Sequence, residues 1–235
     1  MFTQSMIVFA GAVAAGVWFT GSAKAATLNL IQNGDFEARD FAGWSVQNFG
    51  SGSWYINNGG FNPTGPALPL LPISGNFDAV SYQNGPGLRI LSQVVSIPTE
   101  PIASAIFSWS DRLRNYSNVF SDPNQEWRVN IKSLDGTLIR HVFSTNPGDP
   151  TQQVGPNDRI IDLTGLFQAL PSQQVKISFE QQDSLGYFNA TLDNVSLLVQ
   201  TEEPVSDVPE PTSIFAVLVL GAVMAGRVLS KEQVA

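Results

Sequence analysis

The chain has 235 residues, with 20 Asp plus Glu against 12 Lys plus Arg, a net charge of −8, and no cysteine. The missing cysteine excludes disulfides and thiolate metal sites. The acidic balance makes a poor nucleic-acid partner, so no nucleic acid is expected. The first element in chain order is apolar. Met6 to Phe19 carries only small interruptions and is followed by Ala23-Lys24-Ala25, a small-x-small pattern. That is a secretory signal peptide over residues 1–25, with cleavage after Ala25. No Lys or Arg precedes the run, so the positive charge ahead of it is either the free α-amino group or part of a start further upstream. The alternative, a buried N-terminal helix, would show a polar face at helical spacing, and the run has none.

Residues 26–200 read as one β-rich domain. Charged residues make up 14% of the chain and aromatics 10%, with 20 glycines and 15 prolines. Several stretches alternate at period two, the pattern of half-buried strands. Ala105, Phe107 and Trp109 share one face. Trp127, Val129 and Ile131 share another, against Arg128, Asn130 and Lys132. Val175, Ile177 and Phe179 stand opposite Lys176 and Ser178, and Asp193, Val195, Leu197 and Val199 form a fourth set. Further strands are expected near Leu28–Ile31, Ala79–Gln83, Ile90–Ser96, Thr137–Ser144 and Arg159–Leu163, and a short helical turn near Thr164–Ala169. Asp135-Gly136 joins two of these strands as a tight hairpin. The fold class expected is all-β: a single β-sandwich.

The sites expected for a ligand are loop aromatics, because loops of a sandwich carry ligand contacts and sugars need aromatic platforms beside polar groups. Trp54 and Tyr55 lie in the Gly- and Asn-rich segment Ser51 to Pro63. Tyr116 stands near Arg112, Arg114 and Asn115, and Tyr187 lies in Gln182–Phe188. Trp54 has two readings, a stacking platform or the start of a strand with its ring turned inward. The second is preferred, which leaves Tyr55 as the better ligand residue. Catalysis finds little support. His141 is the single histidine and shares a period-two face with Ile139 and Phe143, and no Gly-x-Ser-x-Gly elbow occurs. Asp111, Glu126 and Glu180 near strand ends leave glycoside hydrolysis open as a rival reading. A structural matrix or adhesion role is the other rival.

The opening Asn33-Gly34-Asp35-Phe36-Glu37 with Gly43-Trp44, and the closing Thr191-Leu192-Asp193-Asn194-Val195-Ser196-Leu197, are similar to the galactose-binding-like jelly-roll domains, which include carbohydrate-binding modules. The resemblance implies a jelly-roll sandwich whose first and last strands lie close together, a polysaccharide ligand, and a structural calcium held by Asp35 or Glu37 and Asp193. The other reading places Asp35 in an Asn-Gly-Asp turn and Asp193 at a solvated strand end.

A Pro- and acid-rich linker, residues 201–207, leads to the tail, residues 208–235. Val208-Pro209-Glu210-Pro211 precedes an apolar run that ends at Arg227 and Lys231. From Thr212 to Leu229 a helix would reach about 27 Å at about 1.5 Å per residue, enough to span a bilayer with modest thinning. The tail resembles the PEP-CTERM sorting signal of Gram-negative bacteria. The resemblance implies a transmembrane helix, an exosortase-type partner and an inner-membrane precursor that passes to the cell surface or outside. The function expected is an exported, non-enzymatic surface or matrix protein that binds carbohydrate.

Overall fold

The computed structural model describes residues 25–60, 69–82, 85–171 and 173–202. The expected signal peptide up to Lys24, the expected span Thr212–Leu229, and the expected sorting residues Val208, Pro209, Glu210, Pro211 and Arg227 lie outside the described residues. Among the described residues no helix is long and apolar enough to cross a membrane.

The unit Ala25–Glu202 is all-β apart from one helical turn. Its strands are β1 (Thr27–Asn29), β2 (Ser45–Gly50), β3 (Ser53–Asn57), β4 (Asp78–Tyr82), β5 (Gly87–Ser96), β6 (Ile102–Asn115), β7 (Gln125–Lys132), β8 (Leu138–Ser144), β9 (Asn157–Asp162), β10 (Gln174–Asp183) and β11 (Phe188–Thr201), with α1 (Thr164–Gln168) between β9 and β10. They form two antiparallel sheets. One has the order β3-β4-β11-β6-β9, with β1 also paired to β11, and the other has the order β2-β5-β10-β7-β8. From β4 to β11 the chain passes between the sheets in the strand order of a jelly roll.

The alternating apolar residues meet between the sheets. Trp127, Val129 and Ile131 of β7, Val175, Ile177 and Phe179 of β10, and Phe107 and Trp109 of β6 are all fully or almost fully buried. Phe179 is the centre of an aromatic cluster, stacked on Trp127 with ring centroids 5.9 Å apart and edge-on to Trp109 at 5.9 Å. Buried indole N–H groups need acceptors. Asp111 Oδ2 takes both, from Trp109 Nε1 at 2.9 Å and Trp127 Nε1 at 3.3 Å, while Arg159 Nε donates to the same oxygen at 2.7 Å.

The β7–β8 hairpin turns as expected around Asp135-Gly136. Gly136 N–H donates to Ser133 O, Ser133 N–H donates to Thr137 O, and Gly136 has φ 94°. That is a three-residue loop with glycine at its left-handed position. The opening and closing motifs also meet. Val195 N–H donates to Gly34 O at 2.9 Å, and β1 pairs with the end of β11.

Two expectations of phase are corrected by irregularities in the ladders. Asp193 pairs with Ser110 but Ser196 pairs with Ser108, and Asn194 has φ 54°. The bulge adds a residue, so Leu192 and Val195 both enter the core while Asp193 turns to the outer face. In β8 the ladder skips Val142, pairing Phe143 with Val129 but His141 with Asn130. His141 therefore leaves the face of Phe143 and is exposed on the outer side.

Candidate functional site

The outer face of the five-stranded sheet holds an open depression of about 510 Å³, with Glu126, Arg128, Asn130, Lys132, His141, Ser144 and Glu180 among its lining residues. Strand pairing explains the cluster. Glu180 of β10 is opposite Arg128 of β7, which is opposite Ser144 of β8. In the next row Ser178 faces Asn130, which faces His141. The inward-facing neighbours on these strands are the apolar core residues, so alternation forces the polar set outward.

The side chains form one connected network. Arg128 bridges two carboxylates, with Nη1 2.9 Å from Glu126 Oε2 and Nε 2.9 Å from Glu180 Oε2. Lys132 pairs with Glu180 Oε1. Ser178 Oγ donates to Glu180 Oε1 at 2.8 Å, and Ser144 Oγ donates to Glu126 Oε1 at 2.7 Å. His141 Nδ1 lies 2.8 Å from Asn130 Oδ1. Both glutamates are buried. Burial by itself would raise the Glu180 carboxyl, but Lys132, Ser178 and Arg128 outweigh it and hold the group below its ordinary value. Burial likewise disfavours the Arg128 charge, and the two glutamates outweigh it, so the guanidinium is held above its ordinary value.

The residues expected to bind a ligand are distributed differently. Trp54 is 5% exposed and packs on Trp127 at 6.1 Å, the strand-and-core outcome. Tyr55, 38% exposed, points the other way from β3, with its ring centroid 5.2 Å from that of Tyr82. Tyr116 and Tyr187 are brought side by side, since Tyr116 N–H donates to Tyr187 O at 2.8 Å just beyond the β6–β11 ladder. Arg112 is nearly buried, and its Nη2 donates to Leu71 O at 2.7 Å. None of these aromatics lines the depression.

Of the three carboxylates expected to hold calcium, Glu37 and Asp193 bond to residues 74–77, and Asp35 bonds within its own turn. Glu37 Oε1 accepts from the N–H groups of Asn76 at 2.6 Å and Phe77 at 3.0 Å. These backbone donors hold its carboxyl below the ordinary value. Asp193 Oδ2 accepts from Ser74 N–H and Oγ, both at 2.9 Å, and its Oδ1 accepts from Asn194 N–H at 2.7 Å. Asp35 Oδ1 accepts from Glu37 N–H at 3.3 Å, which is the turn reading. Among the described residues no group of three or more Asp, Glu or His is placed to hold a metal ion.

The depression is only partly visible in the sequence. Arg128, Asn130 and Lys132 show as a polar face of one strand, and Glu126 and Glu180 as carboxylates near strand ends. That β7 lies beside β10, across a long loop of sequence, has no local signal.

No family model matches the chain, and no curated protein matches it. Solved structures do. One is the carbohydrate-binding module TmCBM61 in complex with β-1,4-galactotriose, at 14% identity over 72% of this chain and 97% of that one, with a TM-score of 0.47. Another is a structure of carbohydrate-binding modules of promiscuous specificity from the β-sandwich superfamily, at 14% identity over 69% of this chain and 60% of that one, with a TM-score of 0.43. A third is a Stig cyclase from Fischerella sp. TAU, at 14% identity over 76% of this chain and 100% of that one, with a TM-score of 0.47. Binding modules and an enzyme stand side by side here, so the likeness selects no activity.

Proposed function

We propose that this is an exported surface or extracellular-matrix protein that binds carbohydrate, without cleaving it, in the depression on its five-stranded sheet. One observation carries the reading: an open floor paved with mutually fixed guanidinium, carboxylate, amide, imidazole and hydroxyl groups. Side chains already locked by their neighbours lose little freedom when a polyhydroxyl chain docks on them. The direction of the Glu180 shift favours binding over hydrolysis by that carboxyl. Glycoside cleavage needs a carboxyl that stays protonated near neutral pH, and Glu180 is shifted the other way. Export and sorting rest on the signal peptide and on the Val208-Pro209-Glu210-Pro211 tail with its apolar run and Arg227. In this reading an exosortase-type enzyme handles a precursor held in the inner membrane.

Affinity electrophoresis through gels containing polysaccharide tests the binding. The full chain is retarded, and a variant carrying Asn130→Ala with His141→Ala loses the retardation while its melting temperature stays near the parent's. Equal retardation of parent and variant would remove the depression from the account. For the tail, deletion of Pro209 to Ala235 shifts the protein from the membrane fraction to the soluble one, and a truncated protein that resists carbonate washing would contradict this.

A further inference from the structure

The depression contains two cations and two buried carboxylates, and they neutralise each other. Arg128 lies within 2.9 Å of both Glu126 and Glu180, and Lys132 is paired with Glu180. Every glutamate oxygen is occupied, since Ser144 Oγ takes Glu126 Oε1 and Ser178 Oγ shares Glu180 Oε1. The hydrogen-bonding capacity that is left comes from atoms without partners among the described residues: Arg128 Nη2 and Asn130 Nδ2 as donors, with further N–H groups of Lys132. His141 Nδ1 is taken by Asn130 Oδ1, while its Nε2 has no partner among the described residues and is a ring nitrogen able to share a hydrogen bond with a ligand. A hydroxyl group, which both donates and accepts, matches that mixture.

We infer that the depression takes a neutral, hydroxyl-rich glycan and rejects uronate- or sulfate-bearing polymers. The inference rests on the reading of the depression as a carbohydrate site. An acidic sugar would bring its charge to cations already compensated at hydrogen-bond distance and would face the carboxylates behind them. Asp122, exposed and also lining the depression, adds a further negative charge. The net charge of −8 repels an acidic polymer at longer range.

The test is affinity electrophoresis of the full chain through neutral polymers (a galactan, a xylan, a β-glucan) and acidic ones (alginate, polygalacturonate), at about 0.1 M and about 1 M NaCl, where the screening length falls from about 10 to about 3 Å. Neutral polymers are expected to retard the protein equally at both salt concentrations, and acidic polymers not to retard it. Glu126→Gln keeps the size and an acceptor for Arg128 but removes one negative charge. It is expected to gain retardation by the acidic polymers at low salt and to lose that gain at high salt. Salt-sensitive binding of the parent protein to alginate or polygalacturonate would overturn the inference and leave carbohydrate binding standing. A Glu126→Gln protein that melts like the parent but acquires no acidic binding would overturn it as well. Retardation by no polymer of either class would remove the carbohydrate reading itself.

Discussion

Asp193 stands beside Asp78 at the seam of β4 and β11, one step beyond the Ala79–Leu192 pair, and together they fasten residues 70–77 to the six-stranded sheet. Asp78 Oδ2 accepts from Ile73 N–H at 2.8 Å, and Asp193 Oδ2 accepts from Ser74 N–H at 2.9 Å. Asn57 Nδ2 donates both to Asp78 Oδ1 at 2.8 Å and to Leu70 O at 2.9 Å. Among the described residues, the cation paired with Asp78 is Arg112, at 3.9 Å.

This pairing sets a pH dependence. Burial, above all, pushes the Asp78 carboxyl up to about 7 and Asp193 up to about 6, with Asp193 adding to the rise at Asp78 and Asp35 to that at Asp193. A carboxyl that holds its proton more tightly folded than unfolded stabilises the fold fully below the unfolded value, 3.8 for Asp78, and that contribution is lost as pH rises through about 6 to 7. Asp183, pushed up to about 7 by burial despite Arg89, acts with the same sign. Urea unfolding at about pH 5 and about pH 8 should show these groups lowering stability at the higher pH, by an amount of order a few kcal/mol at about 1.4 kcal/mol per tenfold change in proton affinity. Asp78→Asn should flatten that fall. An Asp78→Asn variant that keeps the parent's full pH dependence would contradict the assignment.

Trp54 and Tyr55 are neighbours in sequence with opposite roles. Trp54→Ala empties a core position against Trp127 and should cost about 3–5 kcal/mol in denaturant unfolding. Tyr55→Ala removes a ring from the outer face of the six-stranded sheet and should cost no more than about 1 kcal/mol. Equal losses would mean that β3 does not hold the phase described.

Gly34 is set by close approach. A Cβ built there would lie 2.0 Å from Val195 O and 2.9 Å from Ile31 Cγ2. The two backbones are held this close by the Val195 N–H, which donates to Gly34 O at 2.9 Å. Gly34→Ala should therefore cost about 3 kcal/mol, read as a lowered urea midpoint. Gly136→Ala, with nothing within 4 Å of its added Cβ, should be felt only through its positive φ, at about 1 kcal/mol.

What is legible in the residues follows from range. Trp127, Val129 and Ile131 announce their strand because alternation is local, and Asp135-Gly136 announces its hairpin because the turn is local. The Asn33–Glu37 and Thr191–Leu197 motifs point correctly to adjacent first and last strands of the domain. Alternation alone gives Asp193 the wrong phase, because a single bulged residue, Asn194, reverses every side chain before it. It fails at His141 for the same reason, through Val142. The segment around β3 looks like a loop from its glycines and asparagines, although Trp54 and Ile56 alternate with Tyr55. The depression needs the pairing of β7 with β10, and the carboxylates around residues 70–77 need the pairing of β4 with β11. Those are long-range facts that no window of sequence contains.

The position of β11 has a consequence for how the domain comes into being. It is the last strand of the domain, yet it lies in the middle of its sheet, with β6 on one side and β4 and β1 on the other. Thr27 waits for Gln200, and Tyr82 waits for Asn189. Closing such distant pairs is slow, because loop-closure entropy must be met before the contacts form. A chain made N-terminus first thus has no completed six-stranded sheet until residue 201 has emerged. Until then Ala79, Phe107 and Trp109 have no β11 side chains to pack against.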